Sequence, residues 1–347
     1  MIGIGVFRLI LALTVVVTHT HSLWGFTLGN PVIAVRTFFI ISGFYMSLIL
    51  NEKYKDRRSF WINRILKIYP IYWVTLLLTI FSCMGAFWLR GNWGEMLDLV
   101  ADWPNLGFVN QIIIAGSQLT IFGRGWIMFG QFVGKSGIMF LLIPQAWTLV
   151  LELWFYLLAP FIVTKKWWII VIFAGLSLLS RWVVAINGGK GDLWEYRFFP
   201  SELIYFLVGV FSYKIYKIFN LHTSTYNICG IFFLIVAVGA LSTFNFWGGQ
   251  ILVREWWFYI LMMTLIPFLF VVSKNSWVDR QLGELSYPVY ITHILVNNVL
   301  NPLLLLPMAI NRNLQAPIVM IGSVILSMFI NHFVQRPIEK IRQGGVR

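Results

Sequence analysis

The feature that most constrains this chain is a series of apolar runs, each about twenty residues long, recurring from one end to the other. Ten can be traced, at roughly 2–23, 31–50, 69–89, 138–163, 167–186, 200–219, 226–246, 256–273, 286–307 and 316–334. Coiled as an α-helix, a run of that length matches the ~30 Å hydrocarbon core of a bilayer. In lipid only helices and closed barrels satisfy their own backbone groups. The expectation is an all-α integral membrane protein with about ten transmembrane helices, forming a single polytopic domain over 1–347. Hydrophobic types make up 59% of residues and charged types 11%, which excludes a soluble protein carrying one anchor. The first run reads as a span rather than a cleavable signal peptide, because it is long and lacks a small-residue cleavage site. A weaker run, 105–122, contains Asn110, Gln111 and Gln118 and reads as interfacial or re-entrant.

The net charge of +13 raises the question of nucleic acid. The basic residues are dispersed between spans, so they report topology and not a nucleic-acid surface. Segments 51–68, 164–166, 214–225, 274–285 and 335–347 together hold sixteen of the 26 Lys and Arg residues. By the excess of basic residues in cytoplasmic loops, these segments and both termini are expected in the cytoplasm. The connection 90–137, with Trp93, Trp103 and Trp126, is then expected outside. Cys83 and Cys229 fall within apolar runs and imply neither a disulfide framework nor a metal cluster. No metal ligand set, Gly-rich phosphate loop or Ser-His-Asp pattern is apparent.

Polar groups inside the spans need a reason to be there. Arg8 and His19 share the first run, eleven residues apart. That spacing is about 1100° of helix, three turns plus roughly 20°, and about 16 Å of rise, so the two face one way. Arg8 could snorkel to the surface, and His19 could be a satisfied packing histidine. Together they suggest a polar cavity. His21 is turned away from His19 and is expected to pack or face the outer surface. Glu152 is the lone acid of its span and needs a cation or a proton. Arg8, His19 and Arg181 are the candidate partners; with His19 it would orient an imidazole base, with an arginine it would be a structural pair.

Asn51 to Lys67 holds six cations in seventeen residues. Arg64 and Lys67, three apart on a helix, suit an anion bearing several phosphates, or anionic lipid headgroups. In Phe38-Phe-Ile-Ile-Ser42-Gly-Phe44, the small Ser-Gly step is read first as close helix packing, with the Ser42 hydroxyl as a lesser candidate. Tyr287 and His293 either line a cavity or cap and pack their helix. Glu95, Asp98 and Asp102, at spacings of three and four, suit one face of a short amphipathic helix; an acidic glycosyltransferase site is the alternative.

These pieces, in order, resemble the bacterial acyltransferase 3 family over nearly the whole chain. The resemblance runs through Arg8 followed by ten residues and His19, Phe38-Phe-x-x-Ser42-Gly-Phe44, and Phe60-x-x-x-Arg64-x-x-Lys67-Ile-x-Pro70-x-Tyr72. It continues with Trp147-Thr-Leu-x-x-Glu152-x-x-Phe155-Tyr-Leu and Arg197-Phe-Phe-Pro-x-x-x-x-x-Phe206-Leu-x-Gly209. It closes with Leu282-Gly-x-x-Ser286-Tyr287-x-x-Tyr290-x-x-His293 and Gln335-Arg-Pro337. Two departures stand out. Lys67 occupies a place where relatives usually carry Arg, keeping the charge but losing bidentate geometry. Arg36 stands where many relatives have an acidic or apolar residue. The chain is also expected to lack the fused extracytoplasmic domain that some members carry.

The resemblance implies a multi-pass protein of the bacterial inner membrane that transfers an acyl group, usually acetyl from acetyl-CoA, to a hydroxyl of an envelope or exported glycan. The partners implied are acyl-CoA, a glycan or lipid-linked sugar, and membrane lipid. Arg64 and Lys67 would hold the CoA phosphates, with Arg8 near the entrance. His19 would act as base or transient acyl carrier, with Glu152 fixing its tautomer. A cation or the Tyr287 hydroxyl would stabilise the developing oxyanion. The rival reading is a transporter or flippase for a glycan or lipid-linked precursor, with Arg8, His19 and Glu152 as a proton relay.

Overall fold

The computed structural model describes residues 1–20, 27–54, 56–189, 191–219, 230–301 and 314–344. His21, Cys229, Lys190 and Arg312, the end of the first expected span and the ends adjoining 220–229 and 302–313 lie outside the described residues.

Each of the ten expected spans falls on a helix. In chain order the helices are α1 (Ile4–Thr18), α2 (Pro31–Glu52), α3 (Arg57–Arg90), α4 (Leu97–Asp102), α5 (Phe108–Thr120), α6 (Arg124–Phe129), α7 (Trp147–Ile162), α8 (Trp167–Ile186), α9 (Asp192–Tyr196), α10 (Phe199–Ile218), α11 (Gly230–Thr243), α12 (Ile251–Ser273), α13 (Trp277–Leu300), α14 (Gln315–Ile330) and α15 (Arg336–Gly344). A single π-helical turn, Asn331–Gln335, joins the last two. The only strand pairing among the described residues is a two-residue hairpin, Gln131–Phe132 with Lys135–Ser136. Seven helical stretches are long and apolar enough to cross a membrane. The other expected spans fall on α1, α11 and α13. The first two are described as shorter apolar helices, and α13 is diluted by Asp279, Arg280, Glu284 and the Asn297–Asn298 pair.

Three boundaries differ from expectation for physical reasons. Apolar run 2–23 is helical only to Thr18, with His19 as its C-cap. There the side chains of Thr18, His19 and Thr20 bond carbonyls of the preceding turn, offering the backbone an alternative to further helix. The basic segment 51–68 is not a loop for most of its length. Asp56 caps α3 by accepting from the Ser59 amide at 2.8 Å, so Arg57 to Arg90 form one helix of 34 residues, about 51 Å long. The fourth expected span begins late: 138–146 is 3-10 and irregular structure before α7.

Exposure separates a core from a lipid-facing ring. On α8 the large residues Trp167, Trp168, Ile172, Leu176, Leu179 and Trp182 are all exposed, as a helix against hydrocarbon should be. By contrast α2 and α10 are mostly buried and touch backbone to backbone. A Cβ on Gly43 would lie 1.9 Å from the Phe206 carbonyl oxygen, and one on Gly209 would lie 1.9 Å from that of Ile40. The Ser42-Gly43 step therefore does the close-packing work expected of it. α1 meets α13 equally closely. The Asp279 carboxylate accepts from the amides of Gly3 (2.7 Å), Gly5 (2.8 Å) and Val6 (3.0 Å). That satisfies donors a helix start otherwise leaves open, and places a negative charge at the positive end of the helix dipole.

The five basic segments gather at one end of the bundle wherever they are described. Lys214 reaches the Lys165 carbonyl, Lys217 and Tyr213 bond Glu52, and Arg336 bonds Gln281. At the other end lies the connection between α3 and α7. α5 is amphipathic, exposing Phe108, Val109, Ile112 and Ile113 while burying Ile114, Ser117 and Gln118, as suits an interfacial segment. Lys135 bridges Asp98 and Asp102 at 2.6 and 2.7 Å. Those two acids thus share one helix face as expected, and their partner is a lysine of the hairpin.

Candidate functional site

A cavity of about 450 Å³ opens among the basic segments, within the size range of small-molecule sites. Its mouth carries Lys53, Arg64, Lys67, Lys274, Arg280 and Arg342. Arg8, Ser42, Glu152, Tyr156 and Tyr287 line its walls, together with Phe38, Thr148 and Tyr290. Seven cationic side chains thus face three acids, Glu152, Asp279 and Glu284. Asp279 is already engaged with the start of α1.

Each side chain arrives by a local rule. The Asp279 clamp fixes where α1 begins, so Arg8, one turn further on, projects into the cavity. The N-cap at Asp56 makes Arg64 and Lys67 neighbours on one helix face. Among the described residues, Arg8, Arg64 and Lys67 form no ion pair. Arg64 is only 8% exposed and has a buried Nε without a hydrogen-bond partner; it bonds Tyr54. Buried donors of this kind are normally satisfied. Electrostatically this end of the cavity is built to receive an anion.

Of the partners that the sequence suggested, Arg8 stands near Glu152, but His19 does not reach it. Its carboxylate accepts from Tyr156, one turn on, at 3.1 Å, and Tyr156 is in turn 3.4 Å from Ser42 Oγ. It stands near Lys67, Arg8 and Arg64. The suggested structural pair with Arg181 is not formed either, because Arg181 bonds Glu202 at 2.9 Å. Arg36, noted above only as a departure, belongs to this second cluster. It contacts Glu202 and Glu255 at 3.0 Å each and stacks 4.7 Å from the Tyr205 ring.

His19 does not line the cavity; it is exposed just past the end of α1. Its imidazole meets that of buried His293, with Nδ1 3.3 Å from His293 Nε2 and ring centroids 4.9 Å apart. The hydrogen bonds assign the neutral tautomers. His293 Nδ1 lies 2.6 Å from the Tyr290 carbonyl and must donate there, leaving Nε2 as acceptor. His19 Nδ1 lies 3.0 Å from the Val15 carbonyl and also carries its proton. In that neutral tautomer the free ring nitrogen of His19 is Nε2. Tyr290 touches both regions: it lines the cavity and packs on His293, with ring centroids 6.0 Å apart.

Of the residues picked from sequence, the structure gathers Arg8, Ser42, Arg64, Lys67, Glu152 and Tyr287 around one cavity. It sets His19 and His293 together beyond Tyr290. The Tyr287 hydroxyl donates to the Ile68 carbonyl at 2.9 Å, so its proton is committed and not aimed at an oxyanion. Sequence reasoning missed Tyr156, Tyr290 and Arg342. Tyr156 had a usable signal, four residues after Glu152, whereas Arg342 had none beyond its charge.

Comparison with known proteins places this geometry. The family model Acyl_transf_3, described as an acyltransferase domain, matches residues 1–332. Proteins of Staphylococcus aureus strains COL and N315, provisionally named O-acetyltransferases, are each 24% identical over 326 residues, spanning 85% of this chain and 50% of their own. An uncharacterised Aquifex aeolicus protein is 23% identical over 210 residues, spanning 59% of this chain and 91% of its own. The chain therefore spans about half the length of the S. aureus relatives it matches. No solved structure gives a significant match.

Proposed function

This chain belongs to the Acyl_transf_3 family, and from that premise we propose that it is a multi-pass O-acyltransferase of the bacterial inner membrane. It takes an acyl group, acetyl in the first instance, from cytoplasmic acyl-CoA and transfers it to a hydroxyl of an envelope or exported glycan. One observation carries the reading: unpaired cations at the basic end of the bundle open into a cavity that leads inward to Tyr290, the neighbour of the His19–His293 pair. The excess of basic residues at that end supports a cytoplasmic side for it, where a nucleotide thioester is available. Gly3, bonded to Asp279, and Arg342, in the cavity lining, are at the same end of the bundle.

In this proposal the phosphates of acyl-CoA sit against Arg64 and Lys67, with Arg8 at the passage inward. Glu152 acts as counter-charge to those cations and does not orient the histidine. His293 shares that orienting role with the Val15 carbonyl, because the one His19 Nδ1–H is divided between Val15 O at 3.0 Å and His293 Nε2 at 3.3 Å. The free His19 Nε2 removes the proton as the acceptor hydroxyl oxygen attacks the thioester carbonyl. The tetrahedral adduct collapses, the C–S bond breaks, and the CoA thiolate recovers the proton from the His19 imidazolium. If His19 Nε2 instead attacks first, the same nitrogen carries the acyl group and a burst of acyl-enzyme precedes product. Because Tyr290 stands between cavity and histidine pair, the ring must move for the thioester to reach His19.

The test uses membranes incubated with radiolabelled acetyl-CoA. Label passes to a glycan fraction with the parent chain, and His19→Ala abolishes that transfer while inserting at normal levels. Substantial labelled product from the variant would sink the role of His19. Export of unlabelled glycan without acylation would favour a transporter instead.

A further inference from the structure

Arg342 stands on α15, beyond residues 1–332 that match the family model. It nevertheless lines the same cavity as Arg64 and Lys67, close enough for its charge to act on both. Its Nη2 donates to Glu339, one turn back on the same helix, and that contact holds the guanidinium in a fixed direction. Its Nη1 is buried and has no hydrogen-bond partner. Arg64 Nε, across the cavity mouth, is buried and unpartnered in the same way. Two guanidinium groups and one ammonium thus converge on one space. Glu339 and Glu152 offset part of their mutual repulsion, and the two unpartnered guanidinium nitrogens are what an added anion would satisfy.

Lys67 sharpens the point. An ammonium is a compact point charge, whereas a guanidinium offers a planar fork that matches two phosphate oxygens. We propose that Arg342 is a phosphate-binding residue of the donor site, supplying from the C-terminal helix the second guanidinium that Arg64-x-x-Lys67 lacks. This rests on the donor reading above. The ligand chemistry is a phosphate group, and its source is either the nucleotide end of acyl-CoA or an anionic lipid headgroup. The cavity favours the first, because Arg342 lines the same pocket as Arg8 and Glu152, which runs inward from the mouth.

The test measures CoA binding by calorimetry on the full chain in phosphatidylcholine nanodiscs. The variants are Arg342→Ala, Arg342→Lys and Arg64→Ala, and acyl transfer is followed in parallel. Loss of one charge-assisted contact should weaken CoA binding about tenfold in Arg342→Ala. The maximal rate at saturating donor should stay within about twofold, and Arg342→Lys should recover only part of the affinity. Should Arg342→Ala not insert, Glu339→Gln, which frees the guanidinium fork, should still weaken binding by a smaller factor. Unchanged affinity in Arg342→Ala, with loss in Arg64→Ala, would overturn this proposal and leave the donor reading intact. A parent chain that binds no CoA would overturn the donor reading and this proposal with it. An effect seen only with phosphatidylglycerol in the discs would assign the residue to a lipid headgroup and equally overturn it.

Discussion

Arg36 and Arg64 are both buried arginines on long membrane helices, yet the protein surrounds them in opposite ways. Arg36 meets two carboxylates and the faces of Tyr196 and Tyr205. Arg64 lies near Lys67 and Arg342, bonds Tyr54 and keeps a buried nitrogen left over, with Glu152 as the nearby acid but no ion pair. Burying a charge is costly unless it is paired. A fully paired arginine is therefore self-sufficient and belongs to the scaffold. One held among like charges stores a demand for an anion from outside. Arg124, at the end away from the basic segments, is intermediate: it bonds Ile143 O, Gln118 and Tyr72 with no like charge beside it, and its Nε is left over.

The strongest way to break this comparison is to unpair the scaffold cluster. Glu202→Ala leaves Arg36 and Arg181 facing each other across an empty space, and removing one partner of a buried pair costs about 3–5 kcal/mol. We expect a large fall in thermal stability in detergent and in membrane abundance. A midpoint within about 2 °C of the parent would show that the cluster is not structural. Arg64→Ala should behave in the reverse sense. It removes a repelling charge, so the midpoint should not fall, while CoA affinity should drop by about tenfold or more. A stability loss like that of Glu202→Ala would put the two regions in one class. The smallest effect is expected of Lys67→Arg, where a second fork on the same helix face should tighten CoA binding by about threefold. Weaker binding would mean that the site uses the compact ammonium as such.

The helices were legible in the sequence because burial in lipid demands long apolar runs, and every expected span found a helix. Their ends were less so. The helix stop at Thr18 depends on hydroxyls competing for carbonyls, and the start at Arg57 depends on one capping acid, neither of which alters hydropathy. The cavity wall was largely legible, since Arg8, Arg64, Lys67 and Glu152 are conspicuous by being charged within apolar surroundings. Which of them touch was not. The pairing of Glu152 with Tyr156, four residues on along α7, followed from helix spacing alone, but that of His19 with His293 is set by how α1 and α13 pack, and helix-to-helix registry leaves no periodic mark. Arg342 was read as one more topological charge because its role needs α15 folded back onto α3.

The clamp between Asp279 and the first residues of α1 has a consequence for assembly. The two partners lie 273 to 276 residues apart in the chain. Closing a loop of that length costs entropy that no local contact repays. The position of Arg8 therefore depends on a pairing between segments far apart in sequence, α1 and α13, as well as on its neighbour α2. A cavity built on such a pairing forms only as the distant helices dock, and contacts of that separation slow folding.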